Sequence, residues 1–133
     1  MELSESVFNT KKVVLSYVVI ELLPNNVMRF EFTRDLNVNM QLTLEMMDIC
    51  KKISGGKLYL SLKIIKHKFK IDDDVANLFA GDVRKDMMKA EAVVLNSAVL
   101  KIFANFYLRV KKPVITTKFF DKEEDAVTWL LTH

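Results

Sequence analysis

The sequence predicts an α/β domain: a mixed sheet of about five strands, opened by an N-terminal β-hairpin, with helices packed on it. Three observations carry this expectation. Runs of period two alternate with runs of helical period, in the order β-β-α-β-α-β-α-β-α. Strands that alternate with helices imply parallel crossovers, and two opening strands joined by a turn add an antiparallel edge. The chain has 133 residues, half of them hydrophobic, enough for a single domain over residues 1–133. A chain of that length buries roughly two-thirds of its unfolded surface and needs no disulfide or metal to fold.

The first element is Lys12 to Leu23, rich in β-branched Val13, Val14, Val18, Val19 and Ile20, which suit a pleated surface. Pro24-Asn25-Asn26 is a turn by composition. Val27 to Thr33 then alternates, with Met28, Phe30 and Phe32 on one side and Arg29, Glu31 and Thr33 on the other. The two runs read as a hairpin.

A helix follows over residues 39–54. Leu42, Met46, Ile49 and Ile53 share one face with Met47 and Cys50 beside them, Asn39 caps the start, and Gly55-Gly56 end it. Lys57 to Ile65 reads as a strand. Asp72-Asp73-Asp74 opens a short helix through Ala80, Gly81 closes it, and a further helical turn is expected from Asp82 to Lys89. Ala92-Val93-Val94-Leu95 has the continuous apolar character of a strand covered on both faces. Asn96 or Ser97 caps a long helix ending near Lys112, ahead of Pro113. Val114 to Phe120 is the last strand. Asp121-Lys122-Glu123-Glu124 has capping-box spacing and starts a closing helix carrying Ala126, Val127, Leu130 and Leu131.

The last third of the chain resembles a known family. The residues are Ala90-Glu91-Ala92-Val93-Val94, Ala104-Asn105-Phe106-Tyr107-Leu108, Lys112-Pro113, Thr117-Lys118-Phe119-Phe120, and Glu123-Glu124-Asp125-Ala126-Val127-Thr128-Trp129-Leu130. In order and spacing they are similar to the strand, helix, Lys-Pro turn, strand and closing Ala-x-x-Trp-Leu helix of an uncharacterised bacterial family with a SpoIIAA-like (STAS-like) fold. The first two-thirds agree in element order and in the Gly-Gly turn. The better-known proteins of that fold are anti-sigma-factor antagonists, switched by phosphorylation of a serine after the third strand. The matching stretch here runs Lys66-His67-Lys68-Phe69-Lys70-Ile71-Asp72-Asp73-Asp74 and holds no serine or threonine, and Ser61 falls inside a strand. The resemblance therefore implies the fold without the phosphoserine switch, because a fold hosts many functions.

Composition excludes several functions. A formal charge of +3 with both signs spread along the chain is milder than the clustered excess of a nucleic-acid binder. Lys66, Lys68 and Lys70 share one face of an extended segment, as lysines that guard a sheet edge do, and three aspartates follow at once. The most apolar run, Val13 to Leu23, is interrupted by Ser16, Tyr17 and Glu21 and is about half the roughly 20 residues a membrane span needs. An acidic start without a signal-peptide pattern and a single cysteine point to the cytoplasm.

The chemistry-bearing residues all have structural explanations. Asp72 to Asp74 and Glu123 to Asp125 stand where helix dipoles favour acids. His67 and His133 have no zinc spacing, and Cys50 sits on an apolar helix face as a small hydrophobe. The expectation is no enzyme, no cofactor and no metal.

The most informative segment is the helix over 97–112. Val99, Ile102, Phe103, Phe106 and Val110 form one apolar stripe, and Leu100, Ala104, Tyr107 and Leu108 a second. A surface helix needs one stripe, so the second needs cover, from the neighbouring C-terminal helix with Trp129, from a second copy of the protein, or from an apolar ligand between the helix layer and the sheet. Phe103, Phe106, Tyr107 and Trp129 are therefore the candidate interface or pocket. The primary reading is a non-enzymatic interaction or regulatory module whose partner is a protein, a second copy of itself included. The alternative is a binder of a small apolar or lipid-like ligand, with Met46 and Met47 joining the lining.

Overall fold

The structure is a computed structural model that describes residues 11–96 and 114–133. In chain order it contains β1 (Lys12–Val14), β2 (Val18–Leu22), β3 (Val27–Phe32), β4 (Leu36–Val38), α1 (Met40–Ser54), β5 (Tyr59–Ile65), β6 (Phe69–Ile71), α2 (Asp73–Ala80), a 3-10 helix (Asp82–Asp86), β7 (Met88–Leu95), β8 (Thr116–Phe120) and α3 (Glu123–Leu130). The main sheet has six strands in the order β1-β2-β3-β5-β7-β8. The first three are antiparallel, and β3, β5, β7 and β8 are mutually parallel. The mixed α/β architecture follows the sequence pattern, and the expected helix over 97–112 lies outside the described residues.

Four details depart from expectation. The β-branched run from Lys12 is two strands, not one: the chain reverses at Ser16-Tyr17, where the Leu15 amide donates to the Val18 carbonyl at 2.9 Å. Period-two patterning is the same in one long strand and in two short ones, so the polar pair at its centre was the only sign of the turn. Second, β4 and β6 form a separate two-stranded parallel sheet, so Lys70 pairs opposite Asn37 and not along the main sheet's edge. Its hydrophobic anchor is Phe69, whose ring meets Phe32 at 4.9 Å. Third, β7 starts at Met88, inside the stretch expected to be helical. Fourth, α3 starts at Glu123 with Lys122, not Asp121, at the cap position, and the Lys122 side chain makes no cap bond.

Other local signals act as read. Asn39 accepts the Leu42 amide at 2.9 Å and caps α1. Gly55 ends it at φ 66°, and Gly56 follows at φ 81°, left-handed positions that glycine occupies without a Cβ penalty.

Alternation sorts the strand residues onto two faces. On the first face Val18, Ile20, Met28, Phe30, Phe32, Tyr59 and Ile65 pack with Met46, Ile49, Cys50 and Ile53 of α1 and Val75 of α2. On the second, Val27, Leu60, Leu62, Ile64, Ala90, Ala92 and Val94 pack with Ala126 and Leu130 of α3. The central strands β5 and β7 are therefore buried on both sides, as parallel strands usually are. No described helix is long and apolar enough to cross a membrane.

Candidate functional site

The strands that bury only leucine, isoleucine, valine and alanine on the second face bury charge on the first. Parallel pairing places Ser61 of β5 directly beside Glu91 of β7, and Lys63 lies two residues further along the same side of β5. The 3-10 helix then delivers Arg84 from above. Ser61 Oγ donates to Glu91 Oε2 at 2.8 Å, Lys63 Nζ lies 3.1 Å from the same oxygen, and Arg84 Nη2 meets Oε1 at 2.6 Å. Arg84 Nη1 donates to the Phe79 carbonyl at 3.1 Å, which ties the cluster to the end of α2. The Phe79 ring lies 4.6 Å from Lys63 Nζ and 5.3 Å from the Arg84 guanidinium carbon, so both cations rest against an aromatic face.

Burial of this cluster is nearly complete: Ser61, Arg84 and Glu91 retain 0, 3 and 4 % of their exposure. Burial alone would push the Glu91 carboxyl up, but Arg84 and Lys63, with the Ser61 hydroxyl, outweigh it and hold the group down at about 2. Glu91 is thus a permanent carboxylate whose oxygens accept from three donors. Such a group neither takes nor gives a proton near neutral pH, so it is a poor acid or base and a good structural anchor.

The neighbouring Cys50 thiol is pushed up to about 12 by burial, so it stays a protonated, unreactive hydrophobe as its position on the apolar face of α1 suggested. Burial also raises the Tyr59 phenol. Its hydroxyl faces the Cys50 thiol, and Arg84 Nε is buried without a hydrogen-bond partner among the described residues. Tyr17 donates to Glu45 Oε1 at 2.5 Å and pins the β1–β2 hairpin to α1, and burial followed by that bond raises its phenol in turn.

A second polar arrangement occupies the open half of the second face. α3 packs on β5, β7 and β8, while β1 and β2 carry Lys12, Val14, Val19 and Glu21 on that side. Register places Lys12 opposite Glu21 and Glu21 opposite Arg29. Arg29 forks onto Glu123 at the start of α3, Nε to Oε2 at 2.7 Å and Nη2 to Oε1 at 3.0 Å, and also reaches Glu31 at 3.0 Å. The bonds from Arg29 hold the Glu123 carboxyl below its ordinary range. The result is a row of alternating charge, Lys12, Glu21, Arg29, Glu123, running across the strands.

Of the candidate residues named from sequence, Phe103, Phe106 and Tyr107 lie outside the described residues. Trp129 is half-buried on α3, 5.7 Å from Phe120 and 4.5 Å from His133. Met46 is packed into the core, and Met47 is half-buried beside it. Ser61 is inaccessible, in agreement with its strand position. Among the described residues no group of three or more His, Cys, Asp or Glu is placed to hold a metal ion. The Ser61–Lys63–Arg84–Glu91 cluster escaped the sequence reading. Its one signal was parity: Lys63 and Glu91 are charges inside otherwise apolar strand runs.

Comparison with known proteins follows the fold. The family model described as a domain of unknown function, DUF7793, matches residues 20–133, and the chain belongs to that family. An uncharacterised DUF3478-family protein with a SpoIIAA-like fold from Shewanella loihica PV-4 is 18% identical. The match covers 85% of this chain and 91% of that one, with a TM-score of 0.59, and the fold is SpoIIAA-like. A protein of unknown function from Arthrobacter sp. FB24 is 19% identical over 86% of this chain and 99% of its own, at a TM-score of 0.31, too low to carry an argument. No curated protein matches the chain in sequence.

Proposed function

We propose that this DUF7793 chain is a non-enzymatic interaction or regulatory module that works through its surface and without the phosphoserine switch of the anti-sigma-factor antagonists. The observation that carries the reading is the division of charge. The buried carboxylate is saturated by Ser61, Lys63 and Arg84 and has no reach to a substrate, whereas Lys12, Val14 and Glu21 stand on a sheet face that α3 leaves open. Val14, at the end of the edge strand β1 and opposite Val19, keeps 60 % of its exposure. Trp129 of α3, half-buried against Phe120 of β8, lies on the same side of the sheet, toward its other edge.

The reading is tested by a photo-crosslinking amino acid placed at Val14 in the cell of origin, with Leu44 on the opposite face as control. A discrete adduct from position 14, absent from position 44, supports it. A diffuse smear from both positions, or no adduct from either, overturns it. The second reading, an apolar-ligand site lined by Phe103, Phe106 and Tyr107 with Met46 and Met47, would be supported by a ligand carried by the purified protein in native mass spectrometry.

A further inference from the structure

We infer that the open half of the second face is a self-association surface, on which a second copy of this chain docks about a two-fold axis between Glu21 and Arg29. The inference rests on the interaction reading above and names its partner.

The argument starts from register. Lys12, Glu21 and Arg29 are direct cross-strand neighbours on β1, β2 and β3, and the Arg29 guanidinium carries the row onto Glu123. The signs run plus, minus, plus, minus, with Glu31 a further carboxylate on Arg29 beside the row. An alternating row of even length has a particular symmetry: turned end for end by a two-fold rotation, it places every cation over an anion. Lys12 then faces the partner's Glu123, and Glu21 faces the partner's Arg29, each contact occurring twice, as an isologous interface requires. The pitch of the first three members is the strand spacing, about 4.8 Å, and the fourth, Glu123, is carried on α3 above the sheet. A second copy matches that pitch by construction, which a partner of unrelated shape does not.

The condition of the side chains agrees. Lys12 is exposed and Glu21 half-exposed, and neither has an ion-pair partner among the described residues. Arg29 is already held by Glu123 and Glu31, so that half of the row is fixed in place before the other copy arrives. Val14, 60 % exposed, and Val19 lie beside the row as paired neighbours and supply an apolar strip. Among the described residues α3 packs on β5, β7 and β8, toward the other edge of the sheet from β1.

Sedimentation velocity of the full chain across a concentration series at low and high salt provides the test. The expected result is a monomer–dimer equilibrium at micromolar to millimolar concentration that weakens about tenfold or more between 0.05 and 0.5 M NaCl, as screened surface charges require. Glu21→Lys sets two like-charge contacts in the interface and should weaken dimerisation at least about tenfold, with Glu21→Gln intermediate. Leu44→Glu, on α1 and away from this face, should change nothing. Circular dichroism confirms that each variant keeps the fold. A wild-type chain that stays monomeric throughout overturns the inference, as does a dimer indifferent to Glu21→Lys. If the Val14 crosslinker captures a different protein in either case, the interaction reading stands and only its partner was misassigned.

Discussion

The two faces of β5 and β7 solve one packing problem with opposite chemistry. Toward α3, Leu60, Leu62 and Ile64 meet Ala90, Ala92 and Val94, a surface with no polar side chain to satisfy. Toward α2 and the 3-10 helix, the same two strands set Ser61, Lys63 and Glu91 among Tyr59, Ile65, Val93 and Leu95. The apolar face gains stability from every methylene it hides and is indifferent to how the covering helix is turned. The charged face gains less per residue, because desolvating three charges offsets much of their attraction. It demands instead that Arg84 arrive at one place, since a misplaced partner strands a buried carboxylate. The cluster thus fixes where the short 3-10 connection docks, which the apolar contacts of so short an element would not.

Substitution separates the two faces. The largest effect is expected from Glu91→Ala, which leaves Arg84 and Lys63 buried without their anion and should cost about 3–5 kcal/mol in urea denaturation. Replacing the whole set together, Lys63→Met with Arg84→Leu and Glu91→Leu, should recover most of that loss. Recovery would show that the charges secure position more than stability, and a triple variant as weak as Glu91→Ala would remove the distinction. On the other face Leu62→Ala should cost about 3 kcal/mol, with no compensating partner to change.

Acid should distinguish the faces as well. The native Glu91 carboxyl lies at about 2, below its ordinary 4.5, so the unfolded chain binds more protons between those values. The stabilisation is complete above about pH 4.5 and is lost as pH falls toward about 2, an effect of order 3 kcal/mol. Glu91→Gln should flatten that part of the stability–pH curve, and Leu62→Ala should lower the curve without changing its slope. The smallest effect belongs to the partly exposed fork: Glu123→Gln should cost about 0.5–1 kcal/mol, measured by thermal unfolding.

Much of this is legible in the sequence alone. The alternation of Met28, Phe30 and Phe32, the Asn39 cap and the Gly55-Gly56 stop are local signals, and each acts where it stands. The turn at Ser16-Tyr17 was hidden because β-branched residues suit one strand as well as two. The start of β7 was missed because Met88 and Lys89 have no strand preference of their own; pairing with Tyr59 and its neighbours decides their conformation. The charged cluster was least legible. Arg84 is seven residues from Glu91 and Lys63 is twenty-eight, and nothing local announces that a crossover will bring them together. Glu123 looked like an acid placed for a helix dipole, and its fork with Arg29, ninety-four residues away, is a property of the sheet.

The carbon chemical shift of the Glu91 carboxyl, followed by NMR as pH is lowered, reads the central feature most directly. The account predicts a carboxylate shift unchanged from pH 7 to about 3.5, with its midpoint near 2 or at the onset of acid unfolding. A midpoint at or above 4.5 in the folded protein would mean that Arg84 and Lys63 do not hold this group ionised, and would contradict the assignment of the cluster as a closed structural anchor.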